Sequence, residues 1–320
     1  MTPNSIPVAV TSRSFSKHPE LRQALLARYP NTTFNDAGAS LRGDALIRFL
    51  KGHEKAITAL EPLDAAVFNA VPELRVIGKY GVGLDMIDLF AMQTHGVKLG
   101  WTAGVNRRAV AELALGFALS LIRRVPESLA LVTGGEWRQV SGRQLSGRTV
   151  GIIGLGNVGK DLTGLLRAFD CRILAHDIHI DEDFCARMAV EMTDLDRLLS
   201  ESEVISIHLP LDDTTRGIIG SGELARMRDG SILINTARGS LVDETALAAE
   251  LRSGRLGAGA FDVFTTEPPE GNPLIGLNNF LATPHIGGST EEAILAMGMA
   301  AIDGLDNAGD PVAVARGQKP

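Results

Sequence analysis

One stretch constrains this chain more than any other. A strand of the apolar kind that is buried on both faces of a parallel sheet, Thr149–Gly154, runs directly into Gly154-Leu155-Gly156-Asn157-Val158-Gly159 and then into a helix. Gly154 permits a tight turn, Gly156 lets the main chain approach a pyrophosphate, and Gly159 lets the helix pack closely on the sheet. The helix start, at Asn157 and Val158, offers unpaired N–H groups and partial positive charge to phosphates. After the next strand, Arg172–His176, comes Asp177, close to the spacing of about 20 residues expected for an acid that bonds both ribose hydroxyls. A carboxylate there repels a 2′-phosphate, and Ile178, His179 and Ile180 supply no arginine to hold one, so NAD is expected rather than NADP. His176 and His179 flank this acid with no further ligand nearby, so they read as strand-end histidines and no metal site is expected.

The rest of the chain alternates short aliphatic strands with helices, the pattern of parallel α/β units. A first series has strands at Ile6–Val10, Arg75–Gly78 and Val97–Leu99, with helices at Glu20–Arg28 and near Ile87–Thr94. A long helix, Asn106–Arg124, follows, with Asn106 as its cap and Val110, Leu113, Ala114, Phe117 and Leu121 on one apolar face. The series from Arg148 adds strands at Val204–His208, Ser231–Asn235, Ala258–Val263 and Phe280–Ala282, and Glu291–Leu305 is a final helix. At 320 residues, two domains are expected. With 45% apolar and 22% charged residues the chain is not disordered. A net charge of −7 and 5% aromatics argue against nucleic acid as a partner. Cys171 and Cys185 are expected as reduced thiols. Met1–Val10 shows no secretory signal and no window reaches the ~18 apolar residues of a membrane span, so a soluble, cytoplasmic protein without a membrane partner is expected.

Three charged residues fall just after strands of the second series. Arg238 lies in Asn235-Thr236-Ala237-Arg238-Gly239, Glu267 in Asp262-Val263-Phe264-Thr265-Thr266-Glu267-Pro268, and His285 in Thr283-Pro284-His285-Ile286-Gly287-Gly288. Parallel sheets bind ligands at the carboxyl ends of their strands, so these residues are expected on one rim beside the cofactor. A guanidinium, a carboxylate and an imidazole suit a 2-oxo acid whose carbonyl receives a hydride. Arg238 would bind the substrate carboxylate and carbonyl oxygen, His285 would exchange the hydroxyl proton, and Glu267 would raise the imidazole pKa.

These stretches, with Lys79–Asp88, Val105–Gly116 and Ile205–Pro210, resemble the D-isomer-specific 2-hydroxyacid dehydrogenases, most of all the phosphoglycerate dehydrogenase-like branch. The likeness runs from about Glu61 to Ala300, and the first sixty residues carry no recognised motif. It implies catalytic roles for Arg238, Glu267 and His285, and a cofactor pocket that includes His208, Pro210, Thr215, Thr236, Ala237, Gly287 and Gly288. Asp262 would meet the carboxamide. It also implies an architecture: an α/β fold of two doubly wound parallel-sheet domains, with a Rossmann NAD domain (102–284) inserted into a discontinuous flavodoxin-like substrate domain (1–101 and 285–308). Residues 309–320 would be a mobile tail. The helix Asn106–Arg124 and an arm through Trp137 would make a homodimer interface through the nucleotide domain, although that apolar face suits intramolecular core equally well.

In the loop Gly78-Lys79-Tyr80-Gly81-Val82-Gly83-Leu84-Asp85, the resemblance implies that the Val82 and Gly83 amides bind the substrate carboxylate. Lys79 is expected either to bind a phosphate or second carboxylate, as a basic residue does in phosphoglycerate dehydrogenases, or to be solvated. The alternative substrates are hydroxypyruvate and glyoxylate. Glu267 disfavours a formate dehydrogenase and Val82 a phosphite dehydrogenase. The chain ends about 35 residues beyond His285, so no appended regulatory domain is expected. An NAD(H)-sensing scaffold of the corepressor type is the alternative of another class, disfavoured by the absence of long disordered flanks.

Overall fold

The computed structural model describes residues 5–317. The chain divides into two compact units, Arg107–Gly288 and, on either side of it in sequence, Met1–Asn106 with Ser289–Pro320. The divisions fall a few residues later than the expected 101 and 284, so His285 belongs with the inserted unit.

The first unit holds five parallel strands, β1 (Val8–Val10), β2 (Thr32–Phe34), β3 (Lys55–Thr58), β4 (Val76–Lys79) and β5 (Lys98–Gly100), in the order β2-β1-β3-β4-β5. That is the flavodoxin-like order, with its switch point between β1 and β3. Aspartates start two of its short helices: Asp64 accepts from Val67 N and Asp88 from Ala91 N. The returning helix, Glu291–Gly304, can lie against this sheet because glycines face it. A Cβ added at Gly78 would sit 2.3 Å from the Ala301 carbonyl oxygen, and one at Gly100 would sit 2.1 Å from that of Gly304. Lys55 Nζ fastens the end of that helix, donating to Tyr29 Oη at 2.7 Å and to the Leu305 carbonyl at 2.6 Å.

The expected mobile tail is corrected. Gly309 exchanges backbone hydrogen bonds with Leu99, and Asp310 caps a helix, Pro311–Ala315, whose Val314 is buried in the first unit's core. The segment is apolar enough on one side to be held. Residues 318–320 lie outside the described residues, as do 1–4 of the N-terminal stretch read for a signal.

The inserted unit has seven parallel strands: β6 (Thr149–Ile153), β7 (Arg172–His176), β8 (Val190–Met192), β9 (Val204–Ile207), β10 (Ile232–Asn235), β11 (Ala258–Phe261) and β12 (Phe280–Ala282). Their order, β12-β11-β10-β9-β6-β7-β8, is the doubly wound Rossmann arrangement, with its switch point between β6 and β9. The helix Arg107–Ile122 buries Ala111, Ala114, Phe117, Ala118 and Leu121 with Ile152, Leu162, Leu166 and Ile234 in one core, so its apolar face is intramolecular. Asn106 does not cap it: its Oδ1 is buried with no hydrogen-bond partner.

Candidate active site

The glycine loop of the inserted unit leaves β6 beside the switch point. Gly154 adopts φ 96°, a left-handed conformation that favours glycine, and a Cβ there would lie 2.8 Å from the His208 carbonyl group at the end of β9. A Cβ at Gly159 would be 2.2 Å from the Gly154 carbonyl oxygen, so the helix start presses onto the loop itself. Above Gly156 nothing lies within 4 Å of the added atom. No side chain caps the helix Asn157–Leu166, which leaves its first-turn amides, at Asn157, Val158 and Gly159, to an anion or water.

The remaining residues fit a dinucleotide. Asp177 sits at the end of β7 and turns toward this loop, one oxygen accepting from Leu155 N at 2.7 Å and the other from His179 N at 2.8 Å. Thr236 Oγ1 is buried without a partner, a polar atom left for a ligand. His208 pairs through Nε2 with Ser206 Oγ at 2.9 Å, and burial pushes its pKa down to about 3, so it is neutral. Thr215 turns its hydroxyl into its own loop, donating to the Pro210 carbonyl at 2.7 Å and accepting from Asp212 N.

Arg238, Glu267 and His285 follow β10, β11 and β12 respectively. Glu267 is held at both oxygens: Oε1 accepts from Phe264 N at 3.0 Å and Oε2 meets His285 Nδ1 at 2.9 Å. The Glu267 hydrogen bond raises the His285 pKa above the ordinary imidazole value, with burial opposing it. Burial raises the Glu267 pKa, but its bonds from His285 and Phe264 N outweigh this and the carboxyl ends below its usual range. Arg238 lies close enough to act on both charges.

Two residues set these loops. Asn235, fully buried at the end of β10, accepts from Ala237 N at 3.0 Å and donates to the Arg238 carbonyl at 2.8 Å. Asp262 receives three bonds from the His285 loop: Thr283 Oγ1 at 2.6 Å and Ile286 N at 2.7 Å on one oxygen, and Gly287 N at 2.7 Å on the other. Its own carbonyl accepts from His285 N at 2.9 Å, and His285 adopts φ 55°. A Cβ at Gly239 would be 2.0 Å from the Phe264 carbonyl carbon, so the Arg238 and Glu267 loops pack directly together. The bracing roles of Asn235 and Asp262 escape sequence reasoning. A polar residue closing an otherwise apolar strand is the one signal that could have flagged Asn235.

The first unit carries the other expected site residues. Lys79 ends β4 and is almost wholly buried, Gly81 has φ 113°, and the Val82 carbonyl accepts from Trp101 Nε1 at 3.1 Å. Gly83 is half-buried beside them.

A parallel sheet with a dinucleotide loop, a ribose-type carboxylate and an acid-paired histidine defines a dehydrogenase-like nucleotide unit. Residues 115–287 match the family of D-isomer specific 2-hydroxyacid dehydrogenases, NAD binding domain, and the chain belongs to that family. It is 37% identical over 268 residues to D-3-phosphoglycerate dehydrogenase of Archaeoglobus fulgidus, covering 82% of this chain and 51% of that one. It is 39% identical over 244 residues to hydroxypyruvate reductase of Thermotoga maritima, covering 75% and 79%. Among solved structures, D-lactate dehydrogenase from Aquifex aeolicus, complexed with NAD and lactic acid, aligns with a TM-score of 0.81 at 25% identity, over 97% of this chain and 95% of that one. The chain spans about half the length of the phosphoglycerate dehydrogenases it matches.

Proposed function

We propose that this chain is an NAD-dependent oxidoreductase of the CH–OH group, interconverting a small D-2-hydroxy acid and its 2-oxo acid. The Glu267–His285 pair beside Arg238, on loops next to a dinucleotide turn, carries the reading. Bound NADH would supply the hydride that reaches the carbonyl carbon. Arg238 fixes the substrate carboxylate and polarises the carbonyl oxygen. Glu267 occupies Nδ1 of His285, leaving Nε2 to give the proton to the developing alkoxide in reduction and to take it back in oxidation.

The likeness to phosphoglycerate dehydrogenases supports a phosphorylated hydroxy acid; the likeness to hydroxypyruvate reductase supports hydroxypyruvate or glyoxylate. The choice turns on Lys79. A homodimer through the nucleotide domain is part of the same reading. The helix Val125–Thr133 buries none of its residues, and Val125, Leu129, Val132 and Trp137 are exposed. The cytoplasm suits Cys171 and Cys185, both free, and no described helix is long and apolar enough to cross a membrane. Oxidation of NADH with a panel of 2-oxo acids tests the activity: turnover of at least one is expected, whereas NADH binding without turnover would identify a nucleotide-sensing scaffold instead.

A further inference from the structure

The carboxyl edge of the first unit's sheet holds a charged cluster that the proposed chemistry does not use. Strands β1, β3 and β4 are neighbours there, and the switch point lies between the first two. Thr11 follows β1, Ala59 and Glu61 follow β3, and Lys79 ends β4. Lys79 is only 4% exposed. Its ammonium points inward, donating to the Ala59 carbonyl at 2.6 Å and to the Tyr80 carbonyl at 3.3 Å. Glu61 takes the other end of the same residue: its Oε2 accepts from Ala59 N at 2.7 Å and from Thr11 Oγ1 at 2.9 Å. A carboxylate and an ammonium thus grip Ala59 by its N–H and its C=O. The loop wraps over the cation, since a Cβ at Gly81 would lie 3.5 Å from Nζ.

A lysine that binds a phosphate must bring its ammonium to the anion with protons to give. This one is turned onto main-chain carbonyls beneath the loop, and a carboxylate stands on the same rim, where it would repel a second negative group. We infer that Lys79 and Glu61 form a brace under the substrate loop, and that the acid taken by this enzyme is unphosphorylated, with its own carboxylate as its only anionic group. This rests on the proposed 2-hydroxyacid dehydrogenase activity and selects hydroxypyruvate or glyoxylate over the phosphorylated acid. Lys79 is accordingly a positioning residue.

The intact protein with NADH decides the matter through kcat/KM for hydroxypyruvate, glyoxylate and 3-phosphohydroxypyruvate. Hydroxypyruvate is expected to exceed its phosphorylated counterpart by about tenfold or more, a difference of about 1.4 kcal/mol. Preference for the phosphorylated acid would overturn the inference and leave the dehydrogenase reading standing. No turnover with these three would overturn the inference, and no turnover with any 2-oxo acid of the wider panel would overturn the dehydrogenase reading as well. Lys79→Met supplies an independent arm. A brace predicts that KM rises by the same factor for every acid, with kcat less affected and Lys79→Arg recovering part of the loss. Loss confined to the phosphorylated acid would overturn the inference.

Discussion

The two carboxyl edges of this chain are stiffened by different chemistry. In the inserted unit the loops that carry Arg238 and His285 are held by uncharged or acceptor-only groups inside the sheet. Asn235 spans the Arg238 turn, and Asp262 takes three donors from the His285 loop. In the first unit, the loop that follows β4 is held by an ammonium, with a carboxylate on the adjacent strand connection. A buried acceptor that satisfies main-chain N–H groups fixes geometry without placing a cation near the reaction. In that unit the loops that carry Arg238 and the imidazole are therefore set by groups other than the two side chains themselves. In the first unit the Lys79 ammonium is turned onto main-chain carbonyls instead.

The sharpest break in this comparison is Arg238→Ala. If Asn235 and not the guanidinium maintains the turn, the variant keeps its fold and binds NADH as before while kcat/KM falls by about 10³-fold, the upper range for losing one preorganised donor. Fluorescence titration with NADH beside steady-state kinetics checks both halves. Retained turnover would remove Arg238 from the mechanism.

Asp262→Asn comes next. The amide keeps one acceptor and turns a donor toward N–H or O–H groups that now lack a partner, which costs about 1–3 kcal/mol for each buried donor left unpaired. With His285 at φ 55° the loop should relax, and kcat should fall by about 10²-fold, as for a displacement near 1 Å. A kcat within about twofold of the parent would show that the loop needs no such brace.

Asp177→Ala should have a smaller effect. It removes the proposed ribose acceptor and the partner of Leu155 N together, so KM for NADH should rise and the preference for NADH over NADPH drop by roughly tenfold, as for lost bonds to a charged group. An unchanged ratio of kcat/KM between the two cofactors would place ribose recognition elsewhere.

The uneven legibility of the two units has the same physical origin. The nucleotide turn could be read because Gly154, Gly156 and Gly159 are dictated by backbone geometry, and Asp177 by its distance along the chain. Arg238, Glu267 and His285 stood out as charged residues after apolar strands, and each does follow its strand. The strands β2, β3 and β8 escaped, since a run of three or four residues carries too little periodicity to separate from a loop. Glu61 and Thr11 could not be joined to Lys79 from sequence, because only the strand order β1-β3-β4 makes neighbours of segments 50 residues apart. The tail misled for a related reason: its small residues suit solvent, and only the backbone bonds to Leu99 and the burial of Val314 show that it is held.

Glu267→Gln tests the finest point, the charge behind the imidazole. Glu267 is ionised across the neutral range, because its bonds from His285 and Phe264 N overcome the effect of burial. Its hydrogen bond raises the His285 pKa, so protonated imidazole persists to higher pH than free histidine allows. Reduction consumes a proton from that form and should hold its rate below the raised pKa, then fall as pH rises through it. Oxidation needs the neutral ring and should rise over the same interval. Glutamine keeps an oxygen for Nδ1 but removes the charge, so the inflection in kcat for reduction should move to lower pH by about one unit, with a modest change in the plateau. The opposing limb for oxidation should move with it, since one group serves both directions. If the profile stays where it is, the pKa of His285 is set by its burial and by Arg238, and the acid pairing is only a matter of orientation.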